Sequence, residues 1–212
     1  MDKQIHSIKS FAARKGRLSE GQKKGLSNTS HFNVDFDRLM VSKSPIHLEI
    51  GFGMGDSLFE MAQTHPNIHY IGVEVYPPGV GHLMMRCIHT KINNVSVYHG
   101  DVYDLLKLMP QRCLSTVYIY FPDPWHKRRH HKRRLINADF IQTISNKVIR
   151  GGNIDIVTDW ADYHHHIEQV LTNNQYGQYV KLMHRSDRPI TKYEKRAKRL
   201  GHQIYEHQFL II

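Results

Sequence analysis

The chain has 212 residues, 40% of them hydrophobic, which is enough for one substantial core and short for two enzyme domains. Lys and Arg number 29 against 19 Asp and Glu, a formal charge of +10 that implies an anionic partner, nucleic acid ahead of a membrane surface. No apolar run approaches the roughly 20 residues of a membrane span, and the opening MDKQIHSIKS lacks the apolar block of a signal peptide, so a cytoplasmic protein is expected.

Residues 1–40 carry Lys3, Lys9, Arg14, Lys15, Arg17, Lys23 and Lys24 with little apolar periodicity, and read as a basic arm ordered in part only on binding. Residues 41–212 read as one domain. From Ile46 onward, short β-branched or aromatic runs alternate with helical stretches, the pattern of βαβ units and a mainly parallel sheet. The spacing predicts strands over 46–50, 70–75, 95–98, 117–121 and 154–158, with helices over 57–64, 80–90, 102–109, 138–149 and 163–171. Cys87 and Cys113 fall inside apolar segments and match no metal spacing, so buried reduced thiols are expected. No metal site is expected at His164, His165 and His166 either, because adjacent helical positions point in different directions and no acidic or Cys partner flanks them.

The first strand runs into Glu49-Ile50-Gly51-Phe52-Gly53-Met54-Gly55, and Gly51 and Gly53 at such a turn let the backbone approach a ligand closely. The dinucleotide fingerprint needs a third glycine where this chain has Asp56, so a nicotinamide or flavin cofactor is disfavoured and a nucleoside ligand without pyrophosphate suits the turn. Glu74 closes the second strand at the distance from which a carboxylate accepts from ribose hydroxyls. Asp101, Asp123 and Asp159 close the third, fourth and fifth, and parallel strands bring all these ends to one edge of the sheet. A ring of carboxylates there suits a cationic nucleoside such as S-adenosylmethionine. Beyond Asp123, Trp125 is followed by His126-Lys127-Arg128-Arg129-His130-His131-Lys132-Arg133-Arg134, six Lys or Arg in nine residues, fit to neutralise phosphates, with Trp125 offering either a face for a base or a plug under the loop. A second basic stretch, residues 181–199, has eight Lys or Arg against Asp187 and Glu194.

The stretches HLEIGFGMG, IGVEVYPPGVG, YFPDPWHKRRHHKRR, TDW and RPITKYEKRAKRLGH, in this order, resemble the bacterial tRNA (guanine-N7)-methyltransferase family. The segment from Arg14 to Gln22 is similar to the family's N-terminal stretch. The resemblance implies a Rossmann-like class I methyltransferase, an α/β fold with a mainly parallel seven-stranded sheet flanked by helices. It implies methyl transfer from S-adenosylmethionine to N7 of a guanosine in the tRNA variable loop; no obligate protein partner is evident from the sequence. By the same resemblance Glu49, Glu74, Asp101 and Asp123 match the cofactor positions, Asp123 being also the active-site residue. Lys127, Asp159, Thr191, Lys192, Tyr193 and Glu194 match the substrate-binding positions, and Arg129, His130, His131, Lys132, Arg133 and Arg134 the RNA-contacting stretch. Ala197 stands where the family commonly has glycine, and the tail from Tyr205 to Phe209 departs from the usual ending. The rival readings are an RNA-binding module that keeps the fold as a scaffold, and a methyltransferase acting on another RNA or another atom.

Overall fold

The structure, a computed structural model, describes residues 9–11, 16–182, 186 and 188–212. Lys3, Arg14 and Lys15 of the basic arm, and Arg185 and Asp187 of the second basic stretch, lie outside the described residues. Five apolar runs form β1 (Ile46–Ile50), β2 (His69–Glu74), β3 (Val95–His99), β4 (Leu114–Tyr120) and β5 (Val148–Thr158). They pair in parallel, and β6 (Gly177–Lys181) and β7 (Tyr205–Ile211) join by antiparallel pairing. The result is one seven-stranded sheet in the order β3-β2-β1-β4-β5-β7-β6.

Both faces are covered, which is why the parallel strands read as unbroken apolar runs rather than alternating ones. The helices, in chain order, are α1 (Glu20–Leu26), α2 (Phe36–Ser42), α3 (Asp56–Thr64), α4 (Pro77–Thr90), α5 (Val102–Leu108), α6 (Ala138–Ser145), α7 (Ala161–Thr172) and α8 (Lys192–Arg199). On one face α3 and α4 bury Leu58, Phe59, Leu83 and Met84 against Val97. On the other, α5, α6 and α7 bury Leu105, Phe140, Ile144 and Ile167 against Val117 and Ile154. Each fully buried leucine or phenylalanine contributes about 2 kcal/mol, so the layers are fixed by the pattern of these residues.

Several boundaries differ from the periodicity: β4 and β5 begin earlier, at Leu114 and Val148, α4 begins at Pro77, and α6 is shorter. The pattern extends α6 to residue 149, yet the helix ends at Ser145 and β5 begins at Val148. The Lys147 carbonyl accepts from Cys113 N and Leu114 N at 2.8 and 2.9 Å, which starts the β4–β5 ladder and takes this segment out of the helix. Near the N-terminus, α1 opens on a capping box in which Ser19 and Gln22 each accept from the other's backbone N–H. This helix lies against α4 through glycines on both sides: a Cβ on Gly25 would stand 2.1 Å from the Gly81 carbonyl oxygen. Cys87 and Cys113 are buried free thiols, and burial pushes both up to about 11.

Candidate active site

The sheet order reverses between β1 and β4: the chain builds outward from β1 through β2 to β3, then returns to place β4 on the other side of β1. In open α/β sheets the crevice beyond the strand ends at such a switch is the natural ligand site. Here it is a cleft of about 690 Å³.

One wall is the glycine turn. Gly51, Gly53 and Gly55 have φ of +74°, +60° and +79°, the left-handed region that side chains resist. Glu74 holds this turn in place: its Oε2 accepts from Gly53 N at 2.7 Å, while Oε1 accepts from Val75 N at 2.7 Å and Tyr76 N at 2.9 Å. Burial raises the Glu74 pKa, and the three backbone donors oppose the rise. The turn also needs a bare Cα behind it, since a Cβ on Gly79 would fall 1.7 Å from the Gly53 carbonyl oxygen. At the foot of the turn Glu49 is 2% exposed, and its Oε2 has no hydrogen-bond partner. Burial, with the Glu74 and Asp56 carboxylates nearby, pushes its pKa up to about 8.

The opposite wall is the loop after β4. Asp123 stands exposed between Pro122 and Pro124, bracketed by Phe121 (φ +53°) and Trp125 (φ +50°), two non-glycine residues in the left-handed region. Strain of about 1 kcal/mol or more per such residue persists only where the surroundings impose it. Phe121 N donates to the Val157 carbonyl at 2.8 Å, Arg134 Nε donates to the Pro124 carbonyl at 3.0 Å, and the Arg133 guanidinium lies 3.8 Å over the Trp125 ring. Trp125 Nε1 in turn donates to the Ser10 carbonyl at 3.0 Å. The Trp125 ring is thus covered by the Arg133 guanidinium and tied to the N-terminal segment. On the third side Asp101 caps α5 by accepting from Tyr103 N at 3.0 Å. Asp159 pairs with His202, whose Nδ1 lies 3.0 Å from Asp159 Oδ2.

Gly51, Gly53, Glu74, Asp101, Asp123, Asp159, Lys192 and Tyr193 thus line one cleft. Glu49 lies behind that lining, and Thr191 caps α8 by accepting from Glu194 N at 3.1 Å. Glu194, expected at the substrate, is instead 0% exposed, with its carboxylate 2.7 Å from Arg188 and 2.8 Å from Lys198. Arg188, itself 3% exposed, reaches Glu206 of β7 at 2.6 Å, so Glu194 belongs to a buried ionic cluster that pins α8 to the sheet. Arg134 likewise turns away from the RNA-contacting stretch: it is buried, bonded to Asp162 as well as to Pro124, and lies over the Tyr163 ring. Lys127, Arg128, Arg129 and Lys132 remain exposed in and beside the 3-10 turn Arg128–Arg133. The electrostatic layout is carboxylates inside and cations at the rim.

His126, Trp160, Arg196 and His202 also line the cleft without having been singled out. The His126 and Trp160 rings meet edge to face at 4.1 Å between centroids. Trp160 and His202 both sit within stretches that the sequence marked, TDW and RLGH, but nothing in the spacing says that they meet Asp159 and the cleft.

The family described as "Putative methyltransferase" matches residues 43–207. A tRNA (guanine-N(7)-)-methyltransferase of Marinobacter nauticus is 41% identical over 95% of this chain and 91% of its own length. One of Colwellia psychrerythraea is 38% identical over 98% of this chain and 91% of its own length. Among solved structures, the aminoglycoside resistance methyltransferase NpmB1 superposes with a TM-score of 0.60 at 13% identity, over 85% of this chain and 95% of that one. The 16S rRNA (adenine(1408)-N(1))-methyltransferase of Catenulisporales acidiphilia, with cosubstrate SAM, gives 0.55 at 12% identity, over 85% of this chain and 92% of that one. The last two share the Rossmann-like class I methyltransferase fold.

Proposed function

The chain belongs to the tRNA (guanine-N7)-methyltransferase family, and on that premise we propose that it moves the methyl group of S-adenosylmethionine to N7 of a variable-loop guanosine in tRNA. The observation that carries this reading is the single cleft in which a glycine turn locked by Glu74 faces the strained loop that presents Asp123.

The cleft fits a cationic nucleoside. A carboxylate has about four acceptor positions, and three of those on Glu74 are taken by backbone N–H groups, leaving about one for a ribose hydroxyl. Asp101 spends Oδ1 on capping α5, which leaves Oδ2 as an acceptor for the cofactor's donors. The orphaned Oε2 of Glu49 becomes a buried acceptor for an ammonium donor when the carboxyl is ionised, so ammonium binding and loss of its proton go together. Gly51 and Gly53 bring bare backbone to the ligand. When bound, S-adenosylmethionine supplies a methyl group activated on a sulfonium.

Guanine N7 carries a free lone pair, so the protein has no proton to remove and needs no strong general base. Its task is to hold the base in line at roughly 3 to 3.5 Å from the methyl carbon, worth several kcal/mol of barrier. Asp123 acts on the base, either by accepting from guanine N1–H and N2–H or by stabilising the positive charge that develops on the purine, and both actions depend on its negative charge. Tyr193, stacked on Phe121 at 6.3 Å and bordering Gly53, offers an aromatic face between the cofactor turn and the base. Lys127, Arg128, Arg129 and Lys132 hold phosphates at the rim on one side, Lys192 and Arg196 on the other.

Asp123→Asn tests this assignment. Transfer should fall by about 10² or more, the usual cost of losing one preorganised electrostatic contact, while tRNA affinity is kept because the phosphate contacts lie elsewhere. Normal turnover in that variant would reduce Asp123 to a loop-forming residue.

A further inference from the structure

Behind the cleft, α7 carries a group of side chains that methyl transfer does not use. One ligand atom each from His164, His165 and Glu168 lies within 4.8 Å of the other two. From sequence the histidine tract lacks an acidic partner and its neighbours diverge. In the helix, Glu168 is four residues beyond His164 and three beyond His165, the two spacings that share a face. The adjacent imidazoles also turn toward one another, with centroids 4.9 Å apart.

His164 is held as a metal ligand is held. Its Nδ1 lies 3.1 Å from His207 Nε2, and His207 Nδ1 lies 3.0 Å from the Tyr179 hydroxyl. A contact between two imidazole nitrogens needs one N–H and one lone pair. In the tautomer in which His207 donates to Tyr179, its Nε2 accepts from His164 Nδ1–H and the lone pair of His164 is left on Nε2; with Tyr179 donating instead, the chain runs the other way and Nε2 carries the proton. The first tautomer is the one a bound ion selects, and a hydrogen bond on the other ring nitrogen is the arrangement that orients metal-ligating histidines. Tyr205 stacks on the His164 ring at 4.1 Å and 9°, fixing its plane. Lys181 Nζ pairs with Glu168 Oε1 at 3.5 Å, a long contact on one oxygen that a bound ion would displace.

We propose that His164, His165 and Glu168 form a binding site for a divalent transition metal of the zinc type, with His207 and Tyr179 orienting the buried ligand. Two imidazoles and a carboxylate suit zinc, and His165 on the surface gives the ion a way in. The ion completes its shell with water. It ties α7 to β6 and β7 through the His164–His207–Tyr179 chain, so binding should raise the thermal midpoint. His130 and His131 are poor competitors, since Arg129, Lys132 and Arg133 beside them repel a cation.

The test is zinc titration of the chelator-treated full-length protein by calorimetry, beside His165→Ala and Glu168→Gln, both at positions where the fold loses little. One equivalent should bind to the wild type, about tenfold or more weakly to either variant. His130→Ala should bind as the wild type does. An absence of binding overturns the proposal. So does wild-type affinity in both His165→Ala and Glu168→Gln, because the ion would then be held by other histidines of the 17 in the chain.

Discussion

Replacing Glu49 by Gln keeps the shape of a buried side chain and removes its charge. The wild-type carboxyl titrates at about 8 in the folded protein, against 4.5 as its ordinary value, because burial and the neighbouring carboxylates disfavour the anion. Between those values the folded chain keeps a proton that the unfolded chain has released. The contribution of Glu49 to stability is therefore fully present below about 4.5 and is lost as pH rises through about 8. Over pH 5 to 8 that loss is roughly 3 to 4 kcal/mol at 1.36 kcal/mol per pKa unit, attenuated by whatever water reaches the group. Urea unfolding of wild type and Glu49→Gln at several pH values isolates the effect, because other groups titrate in both and any fixed cost of burying the amide is independent of pH. The variant should gain on the wild type steadily as pH rises. The same titration should make S-adenosylmethionine affinity rise with pH in the wild type and stay flatter in the variant. A stability difference that does not change with pH would mean that Glu49 is ionised in the folded state, and would refute the reasoning.

Arg134 and Lys132 should separate cleanly. Arg134→Leu should lower stability by about 2 kcal/mol, the worth of charge-assisted bonds to Pro124 and Asp162, whereas Lys132→Ala should leave the urea midpoint in place and weaken tRNA binding. Glu194→Gln should cost about 3 kcal/mol by leaving Arg188 and Lys198 facing a neutral group, read as a lower urea midpoint; an unchanged midpoint would return Glu194 to the cleft. With the four exposed cations around the 3-10 turn and Lys192 and Arg196 opposite them on phosphates, log affinity for tRNA against log salt should have a slope of roughly −4 to −5, and a flat response would remove these cations from the interface.

The parallel half of the sheet was legible because burial on two faces leaves an unmistakable apolar run, as in Leu48, Ile50, Ile71 and Val73. The edge hairpin was not. In β7 the run Tyr205-Glu206-His207-Gln208-Phe209 alternates polar groups that are paired across the sheet, and a buried histidine at 207 hides the strand from any reading by hydropathy. The start of α1 carried its own signal in Ser19 and Gln22, a capping box that a charge-weighted reading of the arm passes over. At the cleft, strand ends could be counted, so Glu74, Asp101, Asp123 and Asp159 were legible as neighbours. Partners could not be counted. That Arg188 claims Glu194, that Arg134 folds under its own loop, and that His202 comes to Asp159 depend on contacts between segments far apart in the chain.

The central claim is tested most directly by incubating the protein with labelled S-adenosylmethionine and unmodified tRNA, then mapping the label by cleavage specific to 7-methylguanosine. Label confined to a variable-loop guanosine is the predicted result. Label at another base or atom would contradict the assigned specificity, and tRNA binding without any transfer would contradict the enzyme itself.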